Sequence, residues 1–278
     1  MIEEMEQVAR SVILRAGELI REHLGRVTGA SIFSKGPSDF VTEVDRASEA
    51  LIIEAIRGRF PDHHIMAEES AQGELGGGIT WVIDPLDGTT NFIHGVPFVA
   101  VSIGACADGI PVLGLVLDPV RGELFTARRG NGAYLNGWPI RARDGIPLRE
   151  ALVATGFPFR AKWLIDPYLA SFKGIFEKVS GLRRAGAAAL DLAYAAAGRV
   201  DGFWEPGLAP WDIAAGSVLV TEAGGRVCDF WGGQDHLTTG HVIAGSPSVV
   251  PFLLEQVQAH LAPAIRRIRT ADAPDPAR

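Results

Sequence analysis

The stretch WVIDPLDGTTNFIHG, residues 81–95, sets two carboxylates three positions apart behind an apolar run, with a glycine and two hydroxyls directly after them. Pro85 fixes its own φ and disfavours helix at Asp84, so the strand before it is expected to end in a sharp turn. Such a turn can aim Asp84 and Asp87 at one point and leave the Leu86 carbonyl between them. Several hard oxygen ligands around one point suit Mg²⁺ or a similar cation. Gly88-Thr89-Thr90 can then open a helix whose free N–H groups face an anion, Gly88 letting the backbone come close. A cation pocket joined to an anion cradle is what metal-assisted phosphoryl transfer needs. A plain strand, an Asp-Gly turn and a Thr N-cap would use the same letters without any chemistry.

Three other segments bear on that choice. AEES supplies Glu68 and Glu69 at the end of a short strand, where a surface acid pair is the commoner explanation. SDFVTEVDRASE offers Thr42 and Asp45 at the spacing of a capping box, a default that is compatible with a catalytic use. PGLAPWDIAAG puts Asp212 at the start of a helix behind Trp211, a common place for an N-capping aspartate.

The elements that must position these groups can be read from periodicity. Met5, Val8, Val12, Ala16 and Leu19 recur at helical spacing in the first 24 residues, and a second helix is predicted over about 42–59. After ITWVID comes a meander, FVAVSIGACA, IPVLGLVLD, GELFTARR and GAYLN, separated by turn sequences. The apolar stretch around Asp108-Gly109 has the length of a membrane span, but Asp-Gly between two strand-length runs signals a hairpin. No membrane segment is expected. From about 150 strands and helices alternate: ALVATGF, then the helix PYLASFKGIFEKV, the Ala-rich helix AAALDLAYAAAG, the strand VDGFWE, the helix WDIAAGSVLVTEAGG, and the strands GRVCDF and HVIAGS. A last helix is predicted over about 249–268. The class is α+β, with the elements packed into layers. One domain is expected over 1–268, in two packed halves of about 1–145 and 146–268, with a disordered tail over 269–278.

Composition narrows the function. The chain has 278 residues, 47% of them hydrophobic, enough for a sizeable core. Its formal net charge of -7 repels phosphate backbones, which argues against nucleic acid as the main partner. The two cysteines, Cys106 and Cys228, form neither a CxxC pair nor a disulfide framework, and the acidic N-terminus has no apolar signal region. A cytoplasmic location is expected.

EES, WVIDPLDGTTNFIHG and PWDIAAG together resemble the signature of the inositol monophosphatase family, and SDFVTEVD is similar to its D-x-V-T-x-x-D element. ATGFPFR and GLRRAGAAALDLAYAAAGRVDGFWE resemble the bacterial inositol-1-monophosphatase branch of the extragenic-suppressor type. The resemblance covers roughly residues 5–260, with the motifs in the family's order. It implies a layered α-β-α-β-α sandwich of the sugar-phosphatase type and a Mg²⁺-dependent, lithium-sensitive phosphomonoesterase acting on inositol-1-phosphate and related polyol phosphates. By the same resemblance Glu68, Asp84 and the Leu86 carbonyl would hold a first Mg²⁺. Asp84, Asp87 and Asp212 would hold a second, and a third, looser ion would sit near Glu68. Thr89, hydrogen-bonded to Asp45, would position the attacking water. Backbone N–H groups of Gly88, Thr89 and Thr90 would cradle the phosphate. Glu205, with Asp87, Gly186 and Ala188, would contact leaving-group hydroxyls. Where human-type members carry Gly-Thr-Ala, this chain has Gly186-Ala187-Ala188, so one hydroxyl is missing.

Four carboxylates, Glu68, Asp84, Asp87 and Asp212, would repel strongly in one cleft unless divalent cations were bound. The haloacid-dehalogenase motif D-x-D-G-T needs an aspartate where this chain has Pro85, so direct attack by water is preferred to a phospho-aspartyl intermediate. No Cys-x5-Arg loop or Arg-His-Gly motif is present, and His94 is expected to pack or cap, since Mg²⁺ prefers oxygen. Alternative specificities within the family are fructose-1,6-bisphosphate, histidinol phosphate and adenosine 3',5'-bisphosphate. A regulatory binding protein with residual phosphatase activity is the other class, since the resemblance implies moonlighting contacts with transcription and ribosome-related complexes. The resemblance also implies a homodimer, with which the Ala-rich helix and the apolar meander edges are compatible.

Overall fold

Apolar spacing decides where the layers form. In a computed structural model of the chain, which describes residues 1–26, 32–36, 39–70, 73 and 75–271, helix α1 (Ile2–His23) buries Met5, Ala9, Val12, Ile13, Ala16 and Ile20 on one face. Strands β1 (Ile32–Gly36) and β2 (Asp39–Thr42) pair antiparallel and lead into α2 (Glu43–Arg59). Thr42 caps α2. Its Oγ1 accepts the N–H groups of Val44 and Asp45, and the Asp45 carboxylate accepts the Thr42 N–H, the reciprocal capping box that the sequence predicts.

A seven-stranded sheet follows: β3 (His64–Ala67), β4 (Ile79–Asp87), then, after the one-and-a-half-turn helix α3 (Thr89–Ile93), β5 (Ala100–Ala107), β6 (Ile110–Asp118), β7 (Glu123–Arg128), β8 (Ala133–Leu135) and β9 (Trp138–Ile140). All neighbours are antiparallel except β3 and β4. Asp108 and Gly109 both have positive φ, +49° and +78°, and join β5 to β6 as the hairpin expected of Asp-Gly. No helix among the described residues is long and apolar enough to cross a membrane.

Alternation then builds a second, five-stranded sheet. Its chain order is β10 (Leu152–Thr155), α4 (Ile165–Phe176), β11 (Gly181–Arg183), α5 (Ala188–Ala196), β12 (Gly202–Glu205), α6 (Pro210–Glu222), β13 (Arg226–Cys228), α7 (His236–Thr239) and β14 (Val242–Gly245). The spatial order is β11-β10-β12-β14-β13. The single last helix expected over 249–268 is instead two, α8 (Val250–His260) and α9 (Ala262–Ala271), because Pro263 has no N–H to offer the Ala259 carbonyl. Helix α9 also runs into the segment expected to be a disordered tail, the rest of which lies outside the described residues.

Three apolar cores glue these elements into an α-β-α-β-α sandwich. One joins α1 and α2 to the outer face of the large sheet, one fills the space around α5 and α6 between the sheets, and one joins α4 and α8 to the small sheet. Small residues set the inner spacing. A Cβ on Gly114 would lie 2.3 Å from the Ala215 carbonyl oxygen, and one on Gly104 3.1 Å from the Ala215 nitrogen. Helix α6 therefore lies almost in contact with the backbone of β5 and β6. Helix α5 is buried throughout except at Tyr194. The Ala-rich helix therefore offers little surface to a dimer partner: its alanines are spent on close packing inside the molecule.

Candidate active site

Strand β4 does not end at Pro85, as the sequence suggested, but continues to Asp87 through a bulge. Asp84 pairs with Ser102 and Asp87 with Ala100, so three steps on β4 match two on β5. Pro85 suits the bulge because it has no N–H to pair, and its carbonyl accepts the Ser48 hydroxyl of α2 at 2.9 Å. Bulging turns both carboxylates to the same side of the sheet. Asp84 then accepts the Leu86 N–H at 3.0 Å, and Asp87 accepts the Ala189 N–H at the start of α5 at 2.7 Å.

Asp212 arrives from α6. It sits at the third position of the helix rather than at the cap, which is Ala209, and its carboxylate accepts the Ala209 N–H at 2.8 Å. Carboxylate oxygens of Asp84, Asp87 and Asp212 all lie within 4.8 Å of one another, and the three residues are buried. Glu68, just beyond β3, lines the same cleft, its backbone N–H bonded to the Ile83 carbonyl.

The cleft has a volume of about 420 Å³. It is lined by Glu68, Asp84, Leu86, Asp87, Gly88, Thr89, Thr90, Gly186, Ala188, Glu205 and Asp212, every residue predicted for the site except Asp45. Asp45 reaches the cleft only through Thr89. Its Oδ1 accepts the Thr89 hydroxyl at 3.1 Å while Oδ2 is held by Thr42 at the cap of α2, and the Leu86 carbonyl is a second acceptor for Thr89 at 3.2 Å. Capping and site chemistry thus use the two oxygens of one carboxylate. Gly88 precedes α3 at φ +89°, and a Cβ there would lie 3.1 Å from the Phe98 carbonyl oxygen and 3.2 Å from that of Gly186. Glycine is required on both counts. His94 follows α3 as its exposed C-cap residue and does not line the cleft.

Sequence reading missed several lining residues: Asn91, Phe157, Phe159, Arg184, Pro206, Gly207 and Leu208. The Asn91 side-chain amide donates to the carbonyls of Phe98 (2.8 Å) and Ala185 (2.9 Å), tying the β4–β5 connection to the chain before Gly186. Arg184 lies over the rings of Phe157 (5.6 Å) and Phe159 (5.1 Å) at the rim. Asp191, on α5, is also buried and feels both Glu205 and Asp87.

The electrostatics of this arrangement are unfavourable as it stands. Burial pushes Asp84 well above the usual carboxylate range, and Glu68, Asp87 and Asp212 push it further. Burial and then Asp212 do the same to Asp87 against the opposing Ala189 N–H, and burial raises Asp45 despite its hydrogen bonds. Acids so placed are stable when ionised only beside positive charge, and a hard divalent cation matches the all-oxygen donor set. Asp84, Asp87 and Asp212, with Glu68 and the Leu86 carbonyl beside them, are the residues that could hold one.

Comparison with known proteins agrees with this geometry. The model of the inositol monophosphatase family matches residues 1–269. Nus factor SuhB of Pseudomonas aeruginosa is 49% identical over 272 residues, covering 96% of this chain and all of that protein. Among solved structures, the extragenic suppressor protein suhB from Bartonella henselae superposes with a TM-score of 0.87 at 39% identity, covering 91% of this chain and 98% of its own. Inositol monophosphatase from Anabaena gives 0.83 at 38% identity, covering 93% and 97%. With the family model matched over nearly the full length and the layered fold shared with those solved structures, the chain belongs to the inositol monophosphatase family.

Proposed function

We propose that this chain is a Mg²⁺-dependent phosphomonoesterase that hydrolyses inositol-1-phosphate and related polyol phosphates by direct attack of water. The observation that carries the reading is the meeting of Asp84, Asp87 and Asp212 oxygens within 4.8 Å, in the cleft that Gly88, Thr89 and Glu205 also line. Glu68, Asp84, Leu86, Asp87 and Asp212 would hold two to three Mg²⁺ ions. When bound, such cations supply Lewis-acid charge that acidifies water and offsets the charge of the phosphate.

The chain's own groups do the rest. Thr89 Oγ1 takes a proton from the attacking water as its own passes to Asp45 Oδ1, 3.1 Å away. Burial raises the Asp45 pKa and makes it a better acceptor for that proton. Backbone N–H groups of Gly88, Thr89 and Thr90 cradle the phosphate at the start of α3. Glu205, Gly186 and Ala188 face the leaving group, where Glu205 accepts from hydroxyls. Breaking the P–O ester bond then releases the polyol, which takes up a proton, and inorganic phosphate.

The same reading includes a homodimer in the cytoplasm. Ile165, Leu169 and Phe176 are 41%, 48% and 61% exposed, and they follow each other along α4 at helical spacing beside exposed Trp163. A contiguous apolar stripe of this kind is uncommon on a monomer and supports self-association by a two-fold axis. Relatives named Nus factor SuhB favour a second reading as well, in which the chain also contacts a transcription-related partner.

A panel of phosphate esters ranked by kcat/KM tests the proposal: inositol-1-phosphate, glycerol-2-phosphate, fructose-1,6-bisphosphate, histidinol phosphate and adenosine 3',5'-bisphosphate. Inositol-1-phosphate should lead, with activity lost in excess chelator and reduced by Li⁺. Activity unchanged in chelator would overturn it. For the second reading, a pulldown that survives in the Asp84→Asn variant would establish contact independent of chemistry.

A further inference from the structure

One wall of the cleft has no secondary structure of its own. The segment Pro206-Gly207-Leu208 joins Glu205, the last residue of β12, to the helix that presents Asp212, and all three residues line the cleft. What holds it comes from the neighbouring strand of the small sheet, just before β14. The Gly207 N–H donates to His241 Nδ1 at 3.1 Å, and the adjacent Leu208 N–H donates to the Gly240 carbonyl at 2.8 Å. With Nδ1 accepting, the neutral His241 ring carries its proton on Nε2.

The His241 ring is fixed in turn. It is buried, stacked on Phe230 (centroids 5.1 Å apart, interplanar angle 21°) and edge-on to Trp231 at 5.9 Å. Gly240 adopts φ +68°, and a Cβ there would lie 2.2 Å from the Leu208 carbonyl oxygen, so the two backbones are pressed together at this step. A buried, ring-stacked imidazole that accepts a hydrogen bond from a loop lining the cleft is arranged to aim that loop.

We propose that His241 is a positioning residue: through Gly207 it sets the wall of the cleft between Glu205 and Asp212, and so the fit of a bulky leaving group. The proposal rests on the phosphatase reading above. It predicts an effect that depends on leaving-group size, because a small ester cannot reach the wall while a cyclitol fills the space beside it.

The experiment compares His241→Phe, which keeps a ring for Phe230 but removes the acceptor, with His241→Asn, whose Oδ1 can stand in for Nδ1. Steady-state kinetics are measured with inositol-1-phosphate and with methyl phosphate, in Mg²⁺, on the full chain. The expected result for His241→Phe is a KM for inositol-1-phosphate raised about tenfold, the ratio that 1.4 kcal/mol carries. Its kcat, and its kcat/KM for methyl phosphate, should stay within about twofold of wild type, and His241→Asn should restore most of the KM. Equal KM values in wild type and a folded His241→Phe would overturn the proposal, as would an equal loss on both esters. If His241→Phe fails to fold, amide hydrogen exchange in the wild type decides: Gly207 protected like a bonded amide supports the anchor, and Gly207 exchanging like an exposed one overturns it. Asp84→Asn run alongside separates the two claims, since phosphate release surviving there would overturn the phosphatase reading itself.

Discussion

Asp84→Asn should make the metal-free protein more stable while removing its activity. The substitution is nearly isosteric, and the amide oxygen can still accept the Leu86 N–H that Asp84 accepts at 3.0 Å. What disappears is one of the charges crowded at the cleft. Two unit charges 4.8 Å apart cost about 3.5 kcal/mol at an effective dielectric near 20. The wild-type carboxylate faces two such neighbours and Glu68, and burial adds to the penalty. Proton uptake by the cluster relieves most of this repulsion in the absence of cations, which leaves a net gain on the order of 1–2 kcal/mol for the asparagine. For a chain of this size that corresponds to a rise in Tm of roughly 2–8 °C in chelator. Mg²⁺ reverses the order. At about 100 times its Kd the cation stabilises wild type by about 2.7 kcal/mol, and the variant should forfeit most of that. Its kcat should fall about 10²–10³-fold or more. Thermal unfolding at pH 7.5 in chelator and in Mg²⁺, with phosphate release on the same samples, gives all three numbers. A variant that melts below wild type in chelator would refute the claim that the cluster is strained by its own charge.

Other outcomes follow from the same geometry. Thr89→Ala should lower kcat about 10²-fold with little change in KM or Tm, since the hydroxyl bridges Asp45 and the Leu86 carbonyl without filling the core. Gly114→Ala should cost about 1–3 kcal/mol of stability, read as a lower urea midpoint, because its methyl would lie 2.3 Å from the Ala215 carbonyl oxygen. Asp84, Asp87 and Asp191 have folded-state pKa values raised above the ordinary 3.8, so above that value the folded chain binds more protons than the unfolded one. Their stabilising effect is therefore full below about pH 3.8 and is lost as pH rises through the raised values. In chelator, the Tm advantage of Asp84→Asn over wild type should grow from pH 5 to pH 8. Phe176→Glu should shift the chain from dimer to monomer in sedimentation, since it places a charge in the exposed stripe of α4.

The sequence carried the site more fully than it carried the scaffold around it, and the physical reason lies in locality. Asp84, Leu86, Asp87, Gly88 and Thr89 fall within six positions, and the constraints on them are local: a proline that cannot pair and a glycine at positive φ. Thr42 and Asp45 sit at capping-box spacing, so their geometry is likewise written in three steps of chain. Even here the turn expected at Pro85 became a bulge, because β5 continues past it and offers Ala100 to Asp87. What failed to show were contacts made across sequence. Arg184 over Phe157 and Phe159, Asn91 holding Ala185, and the short strand β11, which pairs with β10, have no period of their own and are defined by neighbours far along the chain. The composition of the Ala-rich helix says how near a neighbour comes but not from how many sides, so its burial all round except at Tyr194 was not legible.

That last point bears on how the cluster is assembled at all. Asp212 enters from a part of the chain remote from Asp84 and Asp87, with no covalent constraint between them. Its distance to β4 is set by how deeply α6 settles on the large sheet, and that depth is set by Gly104 and Gly114 beneath Ala214 and Ala215. On its other side α6 is pressed by Leu192 of α5 against Gly216, where a Cβ would lie 2.5 Å from the leucine's own. The Ser102 hydroxyl of β5 then donates to the Trp211 carbonyl at 3.2 Å and fixes the first turn of α6 over β5, next to the strand that bears the other two carboxylates. Larger residues at these glycines would lift the helix by an ångström or more and carry Asp212 away from a cation held by the other two. The small residues of the central layer therefore act on the chemistry through distance: they bring a third carboxylate in against charge repulsion, and apolar packing of the central core supplies the energy that holds it there.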